Sequence, residues 1–229
     1  MKRQHTSIDF SPINYAELSR KTAIHEAGHA AAIYLGNKQK QLPPVFFQIF
    51  INALNHSESN DCLCNSYDNG MTKIEGGRLL HSLPLSLEEA VRDFTLEQKQ
   101  AYQLAFEADI INLLAGSLAE ARYLALRDDE PINSRLITIN ALHYYGGASD
   151  LETINDYLDC LALDTAQREQ KLHELFLAAF EFVSNAGNWY AIAALADYIL
   201  VNCKNVITCE EIIAVLDIHS FVSRKSAWC

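Results

Sequence analysis

The chain has 229 residues, an apolar fraction of 49% and a formal net charge of −11. Such a length fits one larger domain or two small ones, with enough apolar material for a real core. The acidity argues against a nucleic-acid module, which needs a basic footprint on phosphate, and against an anionic membrane surface.

In chain order, residues 1–14 read as a polar N-terminal arm, residues 15–220 as one domain and residues 221–229 as a tail. Met1 to Arg20 has no apolar core, so no signal peptide is expected. No run approaches the roughly 18 apolar residues of a membrane span, so no membrane insertion is expected. A helix is predicted from about Tyr15 to Leu35, with Gly36-Asn37 as a left-handed stop. Pro43-Pro44 breaks the chain. Val45 to Leu54, β-branched and aromatic, predicts a strand. Asn55 to Gly70 reads as a loop, and Met71 to Leu80 as a returning strand with Gly76-Gly77 at a turn or bulge. From Ser86 onward the pattern is helical. Ser86-x-x-Glu89 and Thr95-x-x-Gln98 are capping boxes, and the second opens a long helix, about Leu96 to Leu126. A helix over Asn133–Tyr145 closes at Gly146-Gly147. Helices follow at about 150–161, 164–186, 188–203 and 209–217, the last with its own box, Thr208-x-x-Glu211. The expected fold class is mainly α with a small β element, an α+β domain.

The six cysteines, Cys62, Cys64, Cys160, Cys203, Cys209 and Cys229, are irregularly spaced. They read as reduced thiols of a cytoplasmic protein. Cys62-Leu63-Cys64 with His56 and His81 is a weak pattern for a second metal site, because standard sites use two ligand pairs of regular spacing.

The chemically informative segment is His25-Glu26-Ala27-Gly28-His29, an H-E-x-x-H inside an Ala-rich helix. Positions four apart share a helix face. His25 and His29 can therefore aim two nitrogens at one Zn2+, with Glu26 beside them as general base. Gly28 costs about 1 kcal/mol against Ala in mid-helix, so its presence points to close approach of another backbone. Such a site needs a third protein ligand, and two candidates stand out. Asp150, in Gly146-Gly147-Ala148-Ser149-Asp150-Leu151-Glu152, falls in a helix first turn behind a Ser149–Glu152 capping box, where the helix dipole keeps a carboxylate ionised. Glu120, in Leu114-Ala115-Gly116-Ser117-Leu118-Ala119-Glu120, lies on a helix whose small residues permit contact with the metal helix.

Three segments together resemble one family. Thr22 to Ala30 is similar to the metal helix of the FtsH-type AAA+ zinc proteases. Leu113 to Ala121 is similar to that family's "aGraAE" helix. Gly146 to Leu151 is similar to its "GASxD" segment, with Ser149-Asp150 one residue closer than the common spacing. Trp189 to Leu216 resembles its closing helices. The resemblance covers most of residues 15–217. It implies that His25, His29 and Asp150 bind zinc, that Glu26 activates water, and that Glu120 is a neighbouring acid. It also implies binding of extended peptide along a strand, for which part of Val45–Leu54 could offer an edge.

The sequence departs from the family in showing no Gly-x-x-x-x-Gly-Lys-[Ser/Thr] loop, and no membrane anchor is expected. The implied function is that of a zinc-dependent metalloendopeptidase acting on unfolded proteins or peptides, without an ATPase of its own. A separate AAA+ ATPase partner and a homo-oligomer are the assemblies the resemblance admits. The alternative is a catalytically inactive, protease-like binding or scaffold protein with a structural or absent metal. Retention of Glu26 favours the enzyme, because a structural site has no use for a base.

Overall fold

Small side chains place the first helix at the centre of the molecule. The computed structural model describes residues 15–51, 72–202 and 204–225. From Ala23 to Ile33 every residue of this helix is buried. A helix buried on all sides must be thin or wholly apolar, and this one is thin. α1 (Tyr15–Ala31) runs straight into a π-helical turn, Ala32–Gly36, and then α2 (Asn37–Gln39). Gly36 is right-handed, at φ −65°, so the expected stop at Gly36-Asn37 does not occur. The left-handed residue that ends the run is Gln41, at φ 58°.

β1 (Phe47–Ile51) and β2 (Thr72–Gly76) form an antiparallel pair, as the two predicted strands required. Residues 52–71, which include the predicted loop with His56, Cys62 and Cys64, lie outside the described residues, as do the N-terminal arm, Cys203 and Cys229. α3 (Leu87–Ala90) is a single turn capped by Ser86. α4 (Leu96–Arg127) starts at the full Thr95–Gln98 capping box. The predicted helix at 133–145 is shorter, a 3-10 segment over Ile139–Tyr145 capped by Thr138, and Gly146 ends it at φ 72°. α5 (Ala148–Asp159), α6 (Thr165–Ser184) and α7 (Ala186–Val201) follow.

One strand had no signal in the sequence. β3 (Val206–Ile207) pairs with β1, so the sheet order is β2-β1-β3. Two residues are too few to set up a period-2 pattern. α8 (Cys209–Lys225) is about two turns longer than expected and carries the helical backbone into residues 221–225, taken above as tail. α1 packs against α4 and α7, α7 against α8, and α4 against α6. The fold is α+β and mainly helical, with the small sheet beside the metal helix. Among the described residues no helix is long and apolar enough to cross a membrane. Cys160 and Cys209 are free and buried.

Candidate metal centre

The crossing of α1 and α4 builds the site. A Cβ on Gly28 would lie 2.7 Å from the Ala115 carbonyl oxygen and 2.7 Å from the Ala119 Cβ. Only glycine permits this approach, as its cost in helix stability implied. A Cβ on Gly116 would overlap the His29 ring. That glycine makes room for the His29 imidazole.

His25, Glu26 and His29 are 7%, 8% and 5% exposed. The Nε2 atoms of the two histidines lie 3.0 Å apart. The Oδ2 of Asp150, in the first turn of α5, is 3.3 Å from one and 3.4 Å from the other. Among the described residues these three form the group whose donor atoms all lie within 4.8 Å of one another. Tetrahedral zinc, with bonds of about 2.0–2.2 Å, spaces its ligand atoms by about 3.3 Å. The observed triangle fits that spacing. Asp150 Oδ2 is moreover buried without a hydrogen-bond partner among the described residues, an arrangement that is costly unless something else occupies its lone pairs. The donor set, two imidazoles and a carboxylate, suits zinc.

The other side of each ring is held. His29 Nδ1 donates to the Asn112 carbonyl at 2.8 Å. His25 Nδ1 lies 3.2 Å from the Tyr145 carbonyl and 3.5 Å from Glu120 Oε2. Glu120 therefore stands behind His25, on the edge away from the donor triangle, where it orients the ring. Of the two candidates for third ligand, the geometry brings Asp150 to the triangle and leaves Glu120 behind it.

Electrostatics bind the cluster together. Burial pulls the His25 imidazole down, but the Asp150, Glu120 and Glu26 carboxylates outweigh it and push it up to about 10. The same contest, with Asp150 and Glu26 opposing burial and His25, raises His29. Burial works to raise Asp150, yet the two imidazoles hold its carboxyl well below the usual range.

Two expectations change. Ser149 does not cap α5. The N-cap is Gly147, without a side-chain bond, and Ser149 lies inside the helix with its carbonyl accepting from Thr153 Oγ1. The tight turn at Gly146-Gly147 places Asp150 instead. β1 is the central strand, with β2 on one side and β3 covering residues 49–51 on the other, so over that stretch it offers no edge. Among the described residues the strand with an unpaired edge beside the site is β2. The Gly77 amide donates to the Phe46 carbonyl, which sets the alternation so that Lys73 and Glu75 bond to β1 and Ile74 faces away. The Ile74 amide donates to Glu26 Oε2 at 2.7 Å.

A cleft of about 820 Å³ opens on His29 and Asp150 and is walled by Ile33, Ile74, Asn112 and Leu113. His81 lines the same cleft. Asp109, which carried no motif, is buried at its edge. Its carboxylate accepts from the Leu79 and Leu80 amides and the Tyr157 hydroxyl, at 2.8, 2.9 and 2.9 Å. A buried acid at a helical core position was the one available signal for it.

Comparison of the chain with family models, with curated proteins and with solved structures returned no match.

Proposed function

We propose that this protein is a zinc-dependent metalloendopeptidase that hydrolyses peptide bonds in unfolded proteins or peptides, similar to the peptidase domain of the FtsH-type proteases. The observation that carries the reading is the convergence of His25 Nε2, His29 Nε2 and the unpartnered Asp150 Oδ2 on one point, with Glu26 on the same helix turn.

His25, His29 and Asp150 would hold the ion. A zinc ion there supplies Lewis acidity, polarising a carbonyl and lowering the pKa of water towards about 7. Glu26 takes the proton from water and delivers it to the leaving amide nitrogen. Glu120 and the carbonyls of Tyr145 and Asn112 keep the imidazoles in the tautomer that leaves Nε2 free. The outer edge of β2 supplies backbone donors and acceptors for an extended substrate. A cleft of about 820 Å³ takes a strand of peptide and not a folded domain. Unfolding then falls to another protein, and a separate AAA+ ATPase is the partner implied. The free thiols of Cys160 and Cys209 accord with a cytoplasmic setting.

The test is cleavage of an unstructured fluorogenic peptide by the zinc-loaded chain and its Glu26→Gln variant. The expected result is zinc in both and turnover in the parent alone. Equal turnover would remove Glu26 from its role. Zinc without turnover in either would leave a binding protein.

A further inference from the structure

Ile74 and Glu26 are joined in a way that bears on how substrate engages the site. The inference rests on the reading of β2 as the substrate strand. Bonds to β1 use the backbone of Lys73 and Glu75, so the Ile74 amide points to the edge that no described strand covers. There it donates to Glu26 Oε2 at 2.7 Å. A peptide that adds to this edge as a strand requires that same amide as a donor to one of its own carbonyls. The carboxylate and the substrate backbone compete for one hydrogen.

We propose that the Ile74 amide is a latch shared between the base and the substrate. In the free protein it restrains the Glu26 carboxylate. When an extended peptide docks, its carbonyl takes the amide and the carboxylate is released to accept a proton. The site thereby couples the base to occupancy of the strand edge by peptide backbone. Ile74 is a positioning residue in this scheme, and it acts through its main chain. The substrate class that operates the latch is a segment with an accessible backbone carbonyl in extended conformation. A small amide too short to reach β2 leaves the base restrained.

The scheme makes a thermodynamic prediction that needs no turnover. The probe is fluorescein-labelled insulin B chain with alkylated thiols, titrated by anisotropy against the full metal-free chain. Glu26→Ala removes the competitor and tightens binding by roughly tenfold, the scale of a charged hydrogen bond. Glu26→Gln, a weaker acceptor, tightens it less, and it keeps the experiment interpretable if the alanine variant folds poorly. Ile74→Pro deletes the outward amide while sparing the ladder to β1, as an edge position allows. In that background Glu26→Ala gives no tightening, whereas in Ile74→Ala, which keeps the amide, the gain persists. An unchanged affinity in Glu26→Ala and Glu26→Gln would overturn the latch, as would an equal gain with and without proline at position 74. Failure of every folded variant, the parent included, to bind peptide would instead remove β2 as a substrate strand, and the latch with it.

Discussion

His29 turns its Nδ1 to the carbonyl oxygen of Asn112, 2.8 Å away on the neighbouring helix. A carbonyl accepts only, so Nδ1 must carry the hydrogen and Nε2 is left as a lone pair when the ring is neutral. The main chain of α4 thus fixes the tautomer of a residue on α1. No substitution at Asn112 deletes that carbonyl, so the orientation is written into the crossing of the two helices.

The ligand set separates by mutation. Asp150→Ala should lower zinc from about one ion per chain to well below it after desalting, because two ligands hold the ion poorly. Glu120→Gln should keep stoichiometry and weaken affinity by about 10–100-fold, the usual effect of altering a group behind a ligand. Mass spectrometry for content and competition with a chromogenic chelator for affinity distinguish the two. A larger loss in Glu120→Gln than in Asp150→Ala would reverse their assignment.

The glycines of the crossing predict different failures. Gly28→Ala sets a methyl against the Ala115 carbonyl and the Ala119 side chain. It should destabilise the fold by about 1–3 kcal/mol, visible as a lower urea midpoint. Gly116→Ala sets its methyl against the His29 ring. It should reduce zinc affinity more sharply than stability, and a variant that binds zinc normally would contradict the placement of the ring.

Zinc affinity should rise steeply with pH. The carboxylates around His25 hold its proton up to about 10, and His29 is raised as well, so the ion must displace protons at neutral pH. The sign for the metal-free fold follows. The raised histidines stabilise it fully below their ordinary value of 6.5 and lose that contribution as pH climbs through the raised values. The lowered Asp150 stabilises it above 3.8 and loses that as pH falls. Calorimetric titration of zinc in buffers of different ionisation enthalpy should record protons released on binding. A pH-independent affinity would be incompatible with this cluster.

Asp109 should be felt in stability. Burial raises its carboxyl despite bonds from the Leu79 and Leu80 amides and the Tyr157 hydroxyl. A raised acid takes up a proton on folding, so its contribution is fully present below 3.8 and diminishes as pH rises past that value. The stability gap between the parent and Asp109→Asn should therefore be wider in acid than at neutrality, as measured by urea unfolding at the two pH values.

The metal helix was legible because two histidines four apart must share a face, and because Gly28 in a good helix needs a neighbour to justify it. The long α4 and its start at Thr95 were equally clear from periodicity and a capping box. Asp150 was placed in a first turn, though the Gly146-Gly147 turn puts it there and Ser149 has no part in capping. What the sequence did not announce is mostly main chain. The Ile74 amide and the Asn112 carbonyl have no side-chain signature. The π-turn at Ala32–Gly36 costs no unusual residue, and β3 is too short for a pattern. The edge strand was misplaced because the two residues that cover β1 arrive from near the far end of the chain.

The three donor atoms come from α1 and α5, with roughly 120 residues between them. At about 5–20 residues per second, the histidines leave the ribosome some 6–24 seconds ahead of Asp150. The donor triangle therefore forms only once α5 has docked against α4. A chain stopped before α5 carries His25-Glu26-Ala27-Gly28-His29 intact and has no third donor to close the triangle.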